Sequence, residues 1–236
     1  MKELNTLAII PARGGSKRIP KKNIKKFLGK PIINYSIEAA IKSRIFNEIM
    51  VSTDDKKIAM VAIKAGAKVP FLRSKKNSND KSIIAEVIKE VLINYKQNKK
   101  TNFKYACCIF STAPLIKPKI IKKGLDILIK KKCDTVISVT KYEFPIQRSL
   151  IIENGVLKFK WPRNYNKRSQ DLLPHYHDAG QFIWVRCSSF LKNNQFFSKK
   201  TMPIILPNKY VQDIDTNEDW QSAEIKYKLL FKKHEI

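Results

Sequence analysis

The sequence predicts an α/β domain, a mostly parallel Rossmann-like sheet flanked on both faces by helices. Three observations point that way. Short apolar runs alternate with segments whose apolar residues recur at helical spacing. The first apolar run, Leu7 to Ile10, leads through a basic, glycine-bearing loop into a helical pattern. At 236 residues and 43% hydrophobic content, the chain suits one such domain with a substantial core, and nothing in it separates two similar halves.

The elements follow in order. After the strand Leu7 to Ile10, Pro31 stands where a first-turn proline belongs, and Ile33, Ile37, Ala40 and Ile41 recur at helical spacing. Glu48 to Ser52 reads as the second strand. Ile58, Val61, Ala62 and Ala65 form the stripe of the next helix, with Gly66 as its C-terminal stop. Val69 to Arg73 reads as a third, short strand. Ile84, Val87, Ile88, Val91 and Leu92 give the clearest helical stripe, leading into the strand Tyr105 to Phe110. A helix around Ile120 to Lys130 and a strand Thr135 to Val139 continue the alternation. From Lys141 to about His177 the pattern breaks, with Pro145, a hairpin turn at Glu153-Asn154-Gly155 and a basic stretch through Arg163, Lys167 and Arg168. This reads as an insertion, about 141–177, in a single domain spanning 1–236. Gln181 to Val185 regains strand character, and Thr216 caps a last helix carrying Trp220, Ala223, Tyr227 and Leu230.

Composition narrows the function. The formal net charge is +27, from 47 Lys and Arg against 20 Asp and Glu, which raises a nucleic-acid partner. The excess, however, is spread as lysines along predicted helix faces, such as Lys122-Lys123 and Lys130-Lys131-Lys132, with no basic tail, zinc finger or aromatic RNA-binding signature. A solvated lysine coat is the simpler reading, and no specific nucleic acid is expected. The field still gathers anionic ligands. No apolar run reaches membrane-spanning length and the N-terminus carries no signal-peptide pattern, so a cytoplasmic protein without a membrane partner is expected. Cys107, Cys108, Cys133 and Cys187 lack Cys-x-x-Cys spacing and read as small core residues.

Two constellations carry chemistry. In the loop Ala12-Arg13-Gly14-Gly15-Ser16-Lys17, the glycines free the backbone to point N–H groups inward, Ser16 adds a hydroxyl, and Arg13 and Lys17 supply charge. That is a phosphate grip, though it matches neither the Walker pattern nor the dinucleotide fingerprint. Arg13 and Lys17 are the candidate clamps on the outer phosphates, with Lys22 and Asn23 at the loop exit. In the second constellation, Asp213 and Asp215 stand at i and i+2 of an extended segment, where both carboxylates face one side and can share a hard cation. A turn with an N-cap is the competing reading. Asp54 and Asp55 read as well as helix caps as they do as ligands. His175 and His177 have no third nitrogen or sulfur ligand nearby, which argues against zinc.

Beyond these residues, Ser52-Thr53-Asp54-Asp55, Phe71-Leu72-Arg73, Thr112-Ala113-Pro114-Leu115 and Asp213-Ile214-Asp215-Thr216 follow the loop in an order and spacing that resemble the CMP-sialic acid synthetase family, cytidylyltransferases that make CMP-activated nonulosonic acids. The resemblance covers nearly the whole chain. Tyr176-His177-Asp178-Ala179-Gly180-Gln181-Phe182 is similar more narrowly to the branch that activates pseudaminic acid. The resemblance implies a nucleotide-diphospho-sugar transferase type of fold, with the insertion as a β-hairpin dimerisation arm and hence a homodimer. It implies Mg²⁺ on Asp213 and Asp215, and Arg13, Lys17, Asp213 and Asp215 as the catalytic set. Ala12, Arg13, Gly14, Ser16, Asn23 and Arg73 would bind the nucleotide, and Thr112, Arg168, Asp178 and Gln181 the sugar. Phe110 stands where sialic acid synthetases usually carry Gln, and a ring cannot replace an amide's hydrogen bonds. That departure suits a deoxygenated, more apolar sugar.

The expected activity is transfer of CMP from CTP to the anomeric hydroxyl of an acidic nine-carbon sugar, pseudaminic acid first, with release of pyrophosphate. N-acetylneuraminic acid, legionaminic acid and Kdo are the rival acceptors. A phosphatase or regulatory protein on a similar scaffold and a basic nucleic-acid-binding module are the rivals from other classes.

Overall fold

A computed structural model describes residues 5–231. The chain runs β1 (Thr6–Pro11), β2 (Lys26–Phe27), β3 (Lys30–Pro31), α1 (Ile32–Ser43), β4 (Glu48–Ser52), α2 (Lys56–Lys64), α3 (Ile84–Asn98), β5 (Tyr105–Ile109), α4 (Pro118–Lys130) and β6 (Thr135–Lys141). It continues through β7 (Leu150–Glu153), β8 (Val156–Phe159), β9 (Tyr176–Arg186), α5 (Cys187–Asn193), β10 (Thr201–Leu206) and α6 (Asn217–Phe231). The main sheet has the order β10-β6-β9-β5-β1-β4. β1 pairs parallel with β4 and β5, β10 pairs parallel with β6, and β9 alone runs antiparallel between β5 and β6. The expected mostly parallel α/β sheet is what the chain forms.

Alternation within buried strands builds two apolar layers, one on each face of the sheet. Ala8, Ile10, Cys107 and Trp184 join Ile33 and Ile37 of α1 and Leu125 and Leu128 of α4 in one layer. Leu7, Ile9, Cys108 and Val185 join Ile88 and Val91 of α3 in the other. The paired cysteines thus point to opposite faces, as their adjacency in a strand requires. A third cluster, with Ile19, Phe27, Ile32, Ile214 and Trp220, lies under α6. It ties the segment after the basic loop to the segment that carries Asp213 and Asp215.

The expected third strand, Val69 to Arg73, does not form. Pairing there is limited to one bridge, Met50 with Lys68, in which Val51 N–H donates to Lys68 O at 2.9 Å and Lys68 N–H to Ile49 O at 2.8 Å. Pro70 follows two residues later and has no N–H for a ladder, so the chain leaves the sheet. β9 is longer than the predicted Gln181 to Val185, because its first half pairs with the end of β6.

Between Ile137 and Val139 of β6 the partner on β9 jumps from Ile183 to Asp178, so four β9 residues bow out opposite Ser138. Ser138 Oγ pins one end of the bow, donating to Phe182 O at 2.9 Å and accepting from Phe182 N–H at 3.0 Å. Gly180 sits in the bow with φ 61°, a left-handed conformation suited to glycine. Between β6 and β9 the insertion carries the β7–β8 hairpin, turned by Asn154 (φ 52°) and Gly155 (φ 78°), as the Asn-Gly pair predicts.

Candidate active site

The basic loop leaves β1 at the sheet edge where parallel strands end, the place where open α/β sheets bind ligands. Its conformation is fixed from outside. Ala12 N–H donates to Ser52 O at 2.9 Å, pinning the loop's start to the end of β4. Asn23, almost wholly buried, pins its exit: Nδ2 donates to Arg13 O at 2.9 Å, and Oδ1 accepts from Ser111 Oγ at 2.7 Å. Gly14 N–H donates to Asp54 Oδ1 at 2.9 Å, and a Cβ on Gly14 would come within 2.9 Å of Asp55 Cβ, so this crossing admits only glycine. Asp55 caps α2, accepting from Lys57 N–H at 2.6 Å and Ile58 N–H at 3.1 Å.

The loop borders a cleft of about 210 Å³. Its floor and one wall bring Arg13, Ser16, Lys17, Arg18, Lys22 and Asn23 together. Arg73, Asn77, Ser82, Ser111 and Thr112 complete the polar lining, and Ile84 and Val87 of α3 give it an apolar wall. Arg13 and Lys17 both form ion pairs with Asp80. Hydrogen bonds from Lys17 and then Arg13 hold the Asp80 carboxyl below the usual carboxylate range. Arg73 is buried and largely committed to the end of β4: Nε donates to Ser52 Oγ at 3.0 Å and a second nitrogen donates to Ser52 O. Burial pulls its guanidinium below its ordinary value, while the charges of Asp54 and Glu90 oppose that pull. Its Nη1 has no protein partner among the described residues.

Asp213 and Asp215 do not share one neighbourhood. Asp215 turns to the basic loop, pairing with Arg18 at 2.7 Å and Lys22 at 3.4 Å, and Lys22 Nζ also donates to Ile214 O at 2.6 Å. Asp213 faces the bow of β9, its Oδ1 lying 4.0 Å from where a Cβ on Gly180 would stand. Asp178 lies beside that point, accepting from Gly180 N–H at 2.7 Å. The protein packed around the Asp178 carboxyl pushes it up; the Gly180 hydrogen bond works against this and the Asp213 charge adds to it. The segment Asp213-Ile214-Asp215 therefore straddles two surfaces. The cap expected at Thr216 is present as well, for its Oγ1 accepts from Asp219 N–H at 3.2 Å while the Asp219 carboxylate accepts from Thr216 N–H at 2.8 Å.

The remaining predicted residues are placed as follows. Thr112 lines the cleft. Gln181 is buried and donates through Nε2 to Tyr210 O, bracing the segment that leads to Asp213. Arg168 is exposed in the insertion and pairs with Asp171 through two nitrogens, at 2.8 and 3.1 Å. Phe110 packs against both main core layers, and its carbonyl accepts from Ser36 Oγ at 2.7 Å. Cleft residues such as Arg18, Asn77, Asn79 and Ser82 were not singled out from the sequence, nor was Asp80, which pairs with two of the lining cations. Arg18 lay within the basic run, but nothing in the spacing links Asp80 to Arg13, which stands 67 positions away.

Sequence comparison identifies the class of protein that carries this loop and cleft. The cytidylyltransferase family matches residues 7–227, and the chain belongs to that family. It is a nucleotidyltransferase. The chain is 41% identical over 227 residues to the pseudaminic acid cytidylyltransferase of Campylobacter jejuni serotype O:2, covering 96% of this chain and 97% of the relative. It is 34% identical to the CMP-N,N'-diacetyllegionaminic acid synthase of Legionella pneumophila, covering 94% and 95%. Among solved structures, CMP:2-keto-3-deoxy-manno-octonic acid synthetase complexed with CTP superposes with a TM-score of 0.66 over 93% of this chain and 97% of that one, at 16% identity. That likeness concerns the fold.

Proposed function

We propose that the cleft holds the triphosphate of CTP and that the chain transfers CMP to the anomeric hydroxyl of a nonulosonic acid, pseudaminic acid first. The observation that carries this reading is the convergence of Arg13, Lys17, Arg18 and Lys22 on one cleft, in a chain with full-length similarity to a pseudaminic acid cytidylyltransferase. In the reaction the sugar oxygen attacks the α phosphorus, the bond to the bridging oxygen breaks, and pyrophosphate leaves. Arg13 and Lys17 take up the charge that grows on the leaving group, and the Ser16 hydroxyl adds a neutral donor. Ala12, Gly14 and Asn23 hold the loop in shape for this, and Arg73 meets the base. Thr112, Asp178 and Gln181 border or brace the acceptor side. Arg168, exposed in the insertion, would reach the sugar of a neighbouring subunit, which is the role we propose for this arm in a homodimer; its hairpin exposes Ile152, Val156 and Leu157.

Asp213, with no cation paired to it among the described residues, offers a carboxylate to a divalent cation. Among the described residues no group of three acidic, histidine or cysteine side chains gathers as a metal cage. Mg²⁺ ordinarily takes one or two protein carboxylates and completes its shell with phosphate and water. Asp213 and Asp215 are the proposed ligands, with Asp215 held meanwhile by Arg18 and Lys22. When bound, the ion would neutralise phosphate charge and acidify the attacking hydroxyl. No described helix is long and apolar enough to cross a membrane, which is compatible with the cytoplasmic location we propose.

The deciding experiment is CTP-dependent pyrophosphate release with pseudaminic, legionaminic and N-acetylneuraminic acids and Kdo. The highest kcat/KM is expected for pseudaminic acid. A preference for N-acetylneuraminic acid or Kdo would reject the narrow assignment, and release without any sugar would reject acceptor transfer.

A further inference from the structure

The wall of the cleft opposite the basic loop contains an anchored amide. Glu90, on α3 one turn beyond Val87, accepts from Ser74 N–H at 2.8 Å, from Ser74 Oγ at 2.7 Å and from Asn77 Nδ2. Three donors converge on this one carboxyl group. Asn77 is itself buried to 8% exposure, and its backbone N–H donates to Ser74 O at 3.1 Å. Because a group that receives three donors fixes the amide with its NH₂ side toward Glu90, the carbonyl Oδ1 must be the edge left for the cleft. Among the described residues no protein donor reaches that oxygen.

Beside it lie the apolar side chains of Ile84 and Val87, a surface suited to a flat ring, and Arg73, whose Nη1 is a donor without a protein partner among the described residues. The wall thus offers one fixed acceptor and one fixed donor. Cytosine presents a 4-amino donor next to the N3 acceptor; uracil presents the reverse, a 4-oxo acceptor next to an N3–H donor. We infer that Asn77 Oδ1, held in place by Glu90, selects cytosine over uracil by accepting from the 4-amino group, with Glu90 as its positioning residue. This rests on reading the cleft as the CTP site. A buried acceptor that meets another acceptor loses its hydrogen bond and is left desolvated, so the wrong base is rejected strongly.

The test is calorimetric titration of CTP and UTP into the full-length wild type, Asn77→Leu, Glu90→Gln and Arg13→Ala, each checked for an unchanged unfolding temperature. Asn77→Leu is expected to weaken CTP by about 10- to 100-fold while changing UTP by less than about threefold. Glu90→Gln can donate as well as accept, so it frees the Asn77 amide to turn; CTP weakens, UTP strengthens, and the ratio narrows. An unchanged CTP-to-UTP ratio in Asn77→Leu, or equal loss for both nucleotides, overturns the role of Asn77. CTP binding that ignores both Arg13→Ala and Asn77→Leu overturns instead the placement of the nucleotide in this cleft.

Discussion

A single carboxylate can carry charge for a ligand or for a neighbouring side chain, and this site contains both kinds. Arg13 and Lys17 are held by Asp80, and Asp215 is held by Arg18 and Lys22, whereas Asp213 stands near Asp178 with no cation paired to it among the described residues. Arg13→Ala or Lys17→Ala should lower kcat/KM by about 10²- to 10³-fold, the usual loss when a charge-stabilising donor is removed, with an unchanged circular dichroism spectrum. Near wild-type turnover would mean that the loop grips no phosphate. Asp213→Asn and Asp215→Asn should each abolish Mg²⁺-dependent turnover, and the different surroundings add a distinction. Asp213→Asn is expected to weaken Mg²⁺ binding measured directly by calorimetry, while Asp215→Asn also releases Arg18 and Lys22 and alters nucleotide affinity measured without metal. Identical behaviour of the two variants in both titrations would argue against two separate neighbourhoods.

At the scale of elements, the close approach of α4 to β9 sets a sharp packing limit. A Cβ at Gly124 would lie 2.8 Å from Trp184 Cδ1 and 2.9 Å from Phe182 Cε2, and Trp184 is itself fixed by its Nε1–H donating to Ile121 O at 2.9 Å. Gly124→Ala is therefore expected to destabilise the fold by about 1–3 kcal/mol despite the gain in helix propensity. Thermal unfolding reads this directly, at about 2–4 °C per kcal/mol for a chain of this size. A rise in melting temperature would show that the tryptophan can yield. The four cysteines supply a second measurement. Burial pushes the Cys108 and Cys187 thiols up to about 12, and Cys107 and Cys133 are also buried. A thiol reagent should label none of them until the sheet opens, so labelling and global unfolding should share one rate. Fast labelling of the folded protein would contradict the two-layered core.

For the whole molecule, the parts legible in the sequence are those in which local pattern and final environment agree. Leu7 to Ile10, Glu48 to Ser52 and Tyr105 to Ile109 are buried strands and look like it, and the Asn154-Gly155 turn follows from backbone chemistry alone. The third strand was misread because an apolar run shows hydrophobicity but not whether a neighbour supplies a ladder, and Pro70 removes one. The site was half visible. Arg13, Lys17 and the Asp213-Ile214-Asp215 segment are marked by residue type, whereas Asp80 and the Glu90–Asn77 anchor become meaningful only when the fold brings distant segments together. The split between Asp213 and Asp215 was equally hidden, because it depends on what each side of the segment meets. One consequence of the sheet's topology remains. Since β9 alone runs against its neighbours, its first residues, not its last, arrive at the edge where the parallel strands finish. Between the inserted hairpin and that rim the chain passes two single-turn 3₁₀ helices, Pro162–Asn164 and Ser169–Asp171, and then enters β9 at the rim that holds Asp178 and Gly180. Strand direction therefore makes the inserted segment the neighbour of the Asp178 rim along the chain, so the insertion borders that rim rather than the far end of the sheet.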